Sequence, residues 1–170
     1  MQSKIRRREP GGKRVEFKRV QFLKKQMAQK FAAPSKEVSE QDIFAADALT
    51  LAYMGDVCWS LYIRDRLIGT GIYQVQILHA LASEMVSAKW QARILYELAP
   101  LLNERESKVA KRGRNSHSSV PKSASVAEYR EATAFEAILG YLYLSGQEER
   151  LQFLLGRALR FLSEEFESHS

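Results

Sequence analysis

The sequence predicts an all-α protein with one main domain that follows a basic N-terminal segment. Two observations support this prediction. Apolar residues recur at three- and four-residue steps over most of the 170 residues, and no stretch sustains the period-2 alternation of a half-buried strand. Gly, Pro and Ser residues divide the periodic stretches into segments of helix length. We therefore divide the chain into an N-terminal arm, residues 1–38, and a helical domain, residues 39–170.

The arm is strongly basic. Residues 1–30 hold eleven Lys and Arg against two Glu, a net charge of +9, whereas the other 140 residues hold 15 Lys and Arg against 18 Asp and Glu, a net charge of −3. This asymmetry indicates a polyanionic partner, either nucleic acid or an anionic surface. Residues 1–14 lack apolar content, so we expect them to be disordered when free. A basic amphipathic helix is then predicted up to about residue 33 from the spacing of Val20, Leu23, Met27 and Phe31.

Two interpretations of the arm stay open. An Arg-rich segment with few acids is typical of an organelle transit peptide, but Ser3 is the only serine before Ser35, and transit peptides are usually rich in Ser. We favour a nucleic-acid-binding arm and a cytoplasmic location. A transit-peptide remnant would instead place the protein in a chloroplast or another organelle.

The helices of the domain are predicted from periodicity and from the residues that end them. Ser39, with Asp42 three residues later, resembles an N-terminal capping box. Gly69 and Gly71 end the first helix, and Ser145-Gly146 ends a later, very apolar one. The predicted helices cover 39–67, 73–102 with a bend near 83–87, 103–113, 126–145 and 148–166, with a Ser-rich loop at 116–125.

Several classes of protein are excluded by composition. The single cysteine, Cys58, excludes an internal disulfide framework and fits a reducing compartment. The three histidines, His79, His117 and His169, lack the spacing of a zinc site. No apolar stretch approaches the roughly 18 residues that a membrane-spanning helix needs. We therefore expect neither a zinc site, nor a Ser-His-Asp triad, nor a membrane association.

Two lone acids interrupt the two most apolar helices. Gly55-Asp56 lies in the middle of "LAYMGDVCWSLYIRDRL", and Glu136 is the only residue charged at neutral pH in "ATAFEAILGYLYL". Gly55 and Gly140 would each allow a neighbouring backbone to approach closely. If the two helices cross at these glycines, the two carboxylates converge in an apolar setting and repel each other unless a cation lies between them.

Mg²⁺ is the cation that suits such a pair, because it takes one or two carboxylates and completes its shell with water and phosphate oxygens. The alternative is that each acid is structural, solvated at a rim or paired with an arginine such as Arg64 or Arg130. Glu84, near the predicted bend, is a weaker third candidate and is expected to be a solvated surface acid.

The motifs around these acids resemble the ribonuclease III catalytic domain, and in particular its Mini-III subgroup. "LAYMGD" at 51–56 resembles the signature Leu-Glu-Phe-Leu-Gly-Asp, with Ala52 in place of the Glu, as in Mini-III. "FEAILGYLYL" at 135–144 resembles the second acidic motif of the family. "VSAK" at 86–89, "KRGRN" at 111–115, "PK" at 121–122 and "YR…TAFEA" at 129–137 follow in the Mini-III order. The similarity covers about residues 49–155 and leaves the arm outside.

This resemblance implies an all-helical, dimeric endoribonuclease without a double-stranded-RNA-binding domain, which cleaves double-stranded RNA with Mg²⁺. It implies that Asp56 and Glu136 are the catalytic residues and the metal ligands. The Mini-III role in maturing large-subunit ribosomal RNA precursors is the corresponding expectation for the substrate. Two positions depart from the family: Ser125 replaces an Asp common in Mini-III, and Thr133 replaces an Asp of ribonuclease III.

Basic and polar residues around the Ser-rich loop are the candidate RNA contacts, because A-form RNA is recognised through its phosphates and 2′-hydroxyls. They are Lys89, Lys111, Arg112, Arg114, Asn115, Lys122 and Arg130. For the dimer we expect an apolar interface around Trp59, Tyr62 and Tyr141. The competing hypothesis is a non-catalytic RNA-binding or ribosome-associated protein that keeps the fold, and the missing acids at Ser125 and Thr133 are its main support.

Overall fold

The computed structural model describes residues 19–24, 26–27, 30–31, 38–116 and 125–168. The chain divides into two units, residues 1–37 and residues 38–170. In the first unit the described residues are helical. The apolar side chains of the predicted amphipathic helix are exposed there, namely Val20, Leu23, Met27 and Phe31. The predictions for residues 1–14 and for most of the Ser-rich loop lie outside the described residues.

The described part of the second unit contains α-helices and one short 3₁₀ turn, and no strand occurs among the described residues. The all-α prediction is therefore confirmed. The helices are α1 (Glu40–Ala45), α2 (Ala48–Gly69), α3 (Val75–Met85), α4 (Ala88–Leu98), α5 (Glu104–Asn115), α6 (Val126–Leu144) and α7 (Glu148–Ser168), with the 3₁₀ turn Ala99–Leu101 after α4. Among the described helices, none is both long and apolar enough to cross a membrane.

Two predicted helices are each divided in two. The predicted helix 39–67 breaks before α2, where the Asp47 side chain accepts hydrogen bonds from the amides of Leu49 at 2.9 Å and Thr50 at 3.3 Å. An Asp that caps a new helix satisfies amides that would otherwise lack partners. The predicted bend near 83–87 is a similar break, at which Ser87 caps α4. The helix predicted to end at residue 113 continues to residue 115.

Helix α6 is the centre of the domain. It packs against α2, α4 and α5, and its middle section is buried on nearly every side, from Ala132 to Phe135 and from Ala137 to Leu142. Burying apolar area contributes about 25 cal/mol per Å². A continuous apolar helix is therefore stable here only because its neighbours surround it.

A buried ion pair connects α5 to α7. Glu106 is fully buried, and its carboxylate accepts hydrogen bonds from Arg150 at 2.7 and 2.8 Å. The same carboxylate accepts from the Asn103 amide at 2.8 Å as part of the α5 capping box. Arg150 also donates to the Leu101 carbonyl at 2.6 Å. These bonds compensate the cost of burying the carboxylate.

The interface predicted around Trp59 and Tyr141 is wrong for those two residues. Both are core side chains with at most 1% of their surface exposed. Trp59 packs edge-on against Phe135, and the Tyr141 hydroxyl donates to Glu40 at 2.8 Å. A mixed run of aromatic and aliphatic residues looks the same in sequence whether it faces a core or a partner subunit, so the sequence could not separate the two.

Candidate active site

The two lone acids lie where α2 and α6 cross, and glycines make that crossing possible. A Cβ added to Gly55 would overlap the carbonyl oxygen of Glu136 and lie 2.9 Å from its Cα. A Cβ added to Gly140 would overlap the carbonyl oxygen of Leu51 and lie 3.0 Å from the Gly55 nitrogen. Since only a residue without a Cβ fits at either position, the two helices approach backbone to backbone, as the sequence predicted.

The crossing opens to an exposed cleft of about 290 Å³ that contains both acids. Both helices contribute one face to it: Leu49, Ala52, Tyr53 and Asp56 from α2, and Tyr129, Thr133 and Glu136 from α6. The spacing of three and four residues on each helix puts these side chains on one side. Asp56 is exposed at the mouth, and Glu136 is largely buried. The structure thus brings Asp56 and Glu136 together, whereas Glu84 lies outside this cleft.

The pKa of Glu136 is raised from 4.5 to about 7. Burial is the largest cause, because a carboxylate loses its hydration in an apolar environment, and the negative charge of Asp56 adds to the effect. A hydrogen-bonding contribution from Gln91 acts in the opposite direction and lowers this pKa. The site therefore has an excess of negative charge that no nearby cationic side chain of the described residues offsets.

One form of the structural alternative pairs each acid with an arginine, and the described residues contain no such pair. Among the described residues, no ion pair includes Asp56 or Glu136. Arg64 donates instead to the Ser60 carbonyl at 2.9 Å, in its own helix. The two acids are therefore arranged as an unneutralised pair.

The two carboxylates fit a small, hard divalent cation. Carboxylates that face an open cleft are the ligands with which Mg²⁺ is usually held, the remaining positions being left to water and substrate oxygens. No group of three or more His, Cys, Asp or Glu that could hold a metal occurs among the described residues. The reason is visible in the cleft, because Ala52 and Thr133 line it at positions where ribonuclease III has acids.

Ser125, the other departure from the family, has a structural task. Its hydroxyl accepts from the Glu128 amide at 3.1 Å and donates to the Glu128 carboxylate at 2.8 Å, which caps α6. The pKa of Glu128 is lowered most by the Ser125 amide, which donates to the Glu128 carboxylate at 3.0 Å, then by the Ser125 hydroxyl, and to a smaller extent by the charge of Lys89. Lys89 therefore lies near the N-terminus of α6, beyond the Tyr129 end of the cleft.

The predicted RNA contacts fall into two groups. Arg112 donates to the carbonyls of Phe44 and Ala46, and Arg114 forms two hydrogen bonds with Glu131, at 2.6 and 2.8 Å. These two guanidinium groups hold helix ends together. The exposed residues are Lys89, Lys111, Asn115 and Arg130, while Lys122 lies outside the described residues.

Three residues near the acids were not predicted from the sequence. Tyr53 and Tyr129 line the cleft, and Gln91 of α4 reaches Glu136 from the buried side. The spacing to Asp56 and Glu136 on the same helices could have identified the two tyrosines. Gln91 lies on a third helix, so no spacing within one helix relates it to the site.

Comparison with known proteins agrees with this architecture. Residues 49–147 match the family described as the ribonuclease III domain. A crystal structure of a protein from Fusobacterium nucleatum superposes with a TM-score of 0.63 at 34% identity, over 67% of this chain and 92% of that one. The fold and the site therefore define an endonuclease domain of the ribonuclease III family.

The similarity extends to one group within that family. The chain is 44% identical to the Mini-ribonuclease 3 of Desulfitobacterium hafniense, over 71% of this chain and 77% of the relative. It is 48% identical to the Mini-ribonuclease 3 of Symbiobacterium thermophilum, over 67% of this chain and 88% of the relative. It is 44% identical to the Mini-ribonuclease 3 of Brevibacillus brevis, over 76% of this chain and 98% of the relative. The chain belongs to the ribonuclease III family, in its Mini-III group, and is an endoribonuclease of that type.

Proposed function

We propose that this endoribonuclease uses Mg²⁺ to cleave double-stranded or structured RNA, and that its substrate is a large-subunit ribosomal RNA precursor in the cytoplasm. The observation that carries the proposal is the convergence of exposed Asp56 and largely buried Glu136 in one open cleft, with no cationic side chain of the described residues between them. A divalent cation held in such a place, beside a solvent-accessible surface, can activate water and stabilise the leaving oxygen of a phosphodiester.

Asp56 and Glu136 would hold the cation, one from each side of the helix crossing. The chemistry that bound Mg²⁺ supplies is activation of a water nucleophile and stabilisation of the leaving 3′ oxygen. The role of the chain is to keep both carboxylates charged and fixed. A cation between them removes their mutual repulsion, so the pKa of Glu136 should fall towards its ordinary range when the site is loaded.

The surface for RNA combines the cleft with exposed basic residues. Lys89 and Arg130 are exposed near the N-terminal part of α6, and Lys111 and Asn115 are exposed on α5. The arm adds a net charge of +9 within residues 1–30. Because the body has a net charge of −3, we propose that the arm supplies most of the sequence-independent attraction to phosphates.

A homodimer is part of the proposal, with a different interface from the one predicted from the sequence. Tyr53, Val57 and Leu61 follow one another at four-residue steps along α2, and their exposed fractions are 77%, 53% and 67%. A contiguous exposed apolar stripe of this kind marks a protein interface. Leu61→Asp should give a monomeric mass in light scattering, while wild type should give a dimeric one. A monomeric wild-type protein at micromolar concentration would contradict the dimer.

The catalytic proposal is tested by duplex RNA cleavage with and without Mg²⁺. Asp56→Asn and Glu136→Gln keep the side-chain shape but remove the charge that the cation needs, so both should lose cleavage and still bind RNA. Asp65→Asn, on the same helix as Asp56, and Glu84→Gln are matched controls and should cleave normally. Cleavage by the two site variants would refute the catalytic assignment.

The alternative, a non-catalytic RNA-binding protein, rests on one observation: Ala52 and Thr133 leave the cleft with two carboxylates. It predicts that the wild-type protein binds duplex RNA at low salt but does not cleave it at any Mg²⁺ concentration. Mg²⁺-dependent cleavage by the wild type, lost in Asp56→Asn, would rule this alternative out.

A further inference from the structure

Gln91 is a buried polar residue in an apolar part of α4. Only 1% of its surface is exposed, and the other buried residues of this helix are Trp90, Ile94, Leu95 and Leu98. Its Nε2 atom has no hydrogen-bond partner among the described residues. A buried donor without an acceptor costs about 1–3 kcal/mol. A carboxamide at this position therefore needs a reason other than packing.

The group that Gln91 faces is the Glu136 carboxylate. Helix α4 packs against α6, and Gln91 lies close enough to Glu136 to lower its pKa against the effects of burial and of Asp56. Asp56 and Glu136 both line the cleft, whereas Gln91 does not. The buried donor without a partner and the buried carboxylate therefore belong to neighbouring side chains on two packed helices.

We propose that Gln91 is a positioning residue, whose Nε2 donates a hydrogen bond to one carboxylate oxygen of Glu136 and so directs the other oxygen to the cation site in the cleft. This inference rests on the proposed function, since it assigns a role towards the cation that Asp56 and Glu136 would hold. A hydrogen bond to the outer side of a ligating carboxylate fixes its orientation, and loss of such a partner typically costs 10- to 100-fold in metal affinity or activity.

The neutral side chain matters for this role. An Arg or Lys at position 91 would form an ion pair with Glu136 and cancel the negative charge that attracts the cation. A carboxamide donates a hydrogen bond but leaves the net charge of the acid pair unchanged. Gln91 therefore orders Glu136 without competing with the cation.

The experiment compares Gln91→Met, which keeps the length and removes the donor, with Gln91→Asn, which keeps a neutral carboxamide donor on a side chain one methylene shorter. Leu95→Met, one turn later on α4, is the matched control for a change in core packing. Each full-length protein is melted over a range of Mg²⁺ and of Mn²⁺ concentrations without RNA. Values of kcat and KM for a duplex RNA are measured separately.

For Gln91→Met we expect a folded protein, because Met keeps the length and the apolar packing of this buried side chain. The cation concentration for half of the thermal shift should rise 10- to 100-fold. The kcat should fall by a similar factor, while KM changes less than twofold because Gln91 does not line the cleft. Gln91→Asn should recover part of both losses. If Gln91→Met keeps the wild-type kcat and the wild-type cation concentration for half of the thermal shift, the proposal is overturned.

A measurement on the wild-type chain keeps the test decisive if Gln91→Met does not fold. In a Mg²⁺ titration followed by NMR of Gln side-chain amides, the Gln91 amide signals should shift with the same midpoint as the thermal effect, and those of exposed Gln152 should not. Unshifted Gln91 signals would refute the positioning role. If the wild type neither binds the cation nor cleaves RNA, the proposed function itself fails, and this result differs from a failure confined to Gln91.

Discussion

Glu136→Gln should stabilise the metal-free protein at alkaline pH, although it removes the charge on which the proposed activity depends. The pKa of Glu136 lies at about 7 in the folded chain and at 4.5 when the group is unperturbed. One pKa unit corresponds to 1.36 kcal/mol, so ionising this group costs the folded state about 3 kcal/mol at most. A neutral amide of the same shape avoids that cost.

The sign of the pH dependence follows from proton binding. Below pH 4.5 Glu136 is protonated in both states, so it does not alter the free energy of unfolding. Between pH 4.5 and about 7 the folded state binds more protons, and wild-type stability falls as pH rises. Above this window the penalty is constant. Glu136→Gln lacks it throughout, so its advantage should grow from near zero at pH 4.5 to about 1–3 kcal/mol at pH 8.

The assay is urea unfolding in EDTA at several pH values between 4.5 and 8, with protein concentration fixed. Glu84→Gln, an exposed acid outside the cleft, should follow the wild-type curve. Asp56→Asn should give a smaller gain, because burial rather than Asp56 is the larger cause of the shift. Added Mg²⁺ should raise the stability of the wild type but not that of Glu136→Gln. If Glu136→Gln is destabilised at pH 8 without metal, the carboxylate has a favourable partner and the reasoning is refuted.

Three further predictions concern the helix crossing, the core and the arm. Gly55→Ala should lower the free energy of unfolding by about 3 kcal/mol or more, because its Cβ would overlap the Glu136 carbonyl, whereas Gly156→Ala, with open space around it, should be neutral or stabilising in the same urea titration. Glu106→Gln should cost about 3–5 kcal/mol, while Glu104→Gln, which breaks an exposed pair with Lys108, should cost about 0.5 kcal/mol or less; equal losses would contradict the buried ion pair. Deleting residues 1–30 should weaken RNA binding and lower the slope of log K against log salt by roughly 0.7–0.9 for each phosphate that the arm neutralises in the wild type, without abolishing cleavage at low salt. An unchanged affinity and slope would favour the targeting interpretation of the arm.

Most of the features that the sequence predicted correctly are determined within one helix; the close approach of α2 and α6 at Gly55 and Gly140 is the exception, because a glycine in an apolar helix indicates such an approach. The bounds of α6, 126–144 against the predicted 126–145, follow from a capping Ser125 and from Gly146, which adopts a positive φ of 69°. The family resemblance was likewise confirmed, since it depended on short motifs in a fixed order. The break before α2 was missed because an Asp inside a helical pattern and an Asp that caps a new helix look alike until the backbone amides are traced.

The features that the sequence could not predict depend on contacts between helices. Arg112 lies in a basic stretch that is typical of a phosphate contact, yet it donates to carbonyls at the end of α1. Trp59 faces the core, while Tyr53, six residues earlier on the same helix, faces solvent. Periodicity states which residues share a side, but not whether that side meets a core, a partner subunit or water.

The cleft between α2 and α6 depends on two glycines that lie close in sequence to the two acids. Gly55 directly precedes Asp56, and Gly140 follows Glu136 by one helical turn. Each glycine leaves room for the backbone of the other helix, so the two helices cross at these positions. Both carboxylates therefore lie in the cleft beside the crossing. A larger residue at either glycine would separate the helices and the acids together. The proposed cation site between α2 and α6 therefore depends on the glycines as well as on the carboxylates, and this dependence is our explanation for Gly and Asp side by side in an apolar helix.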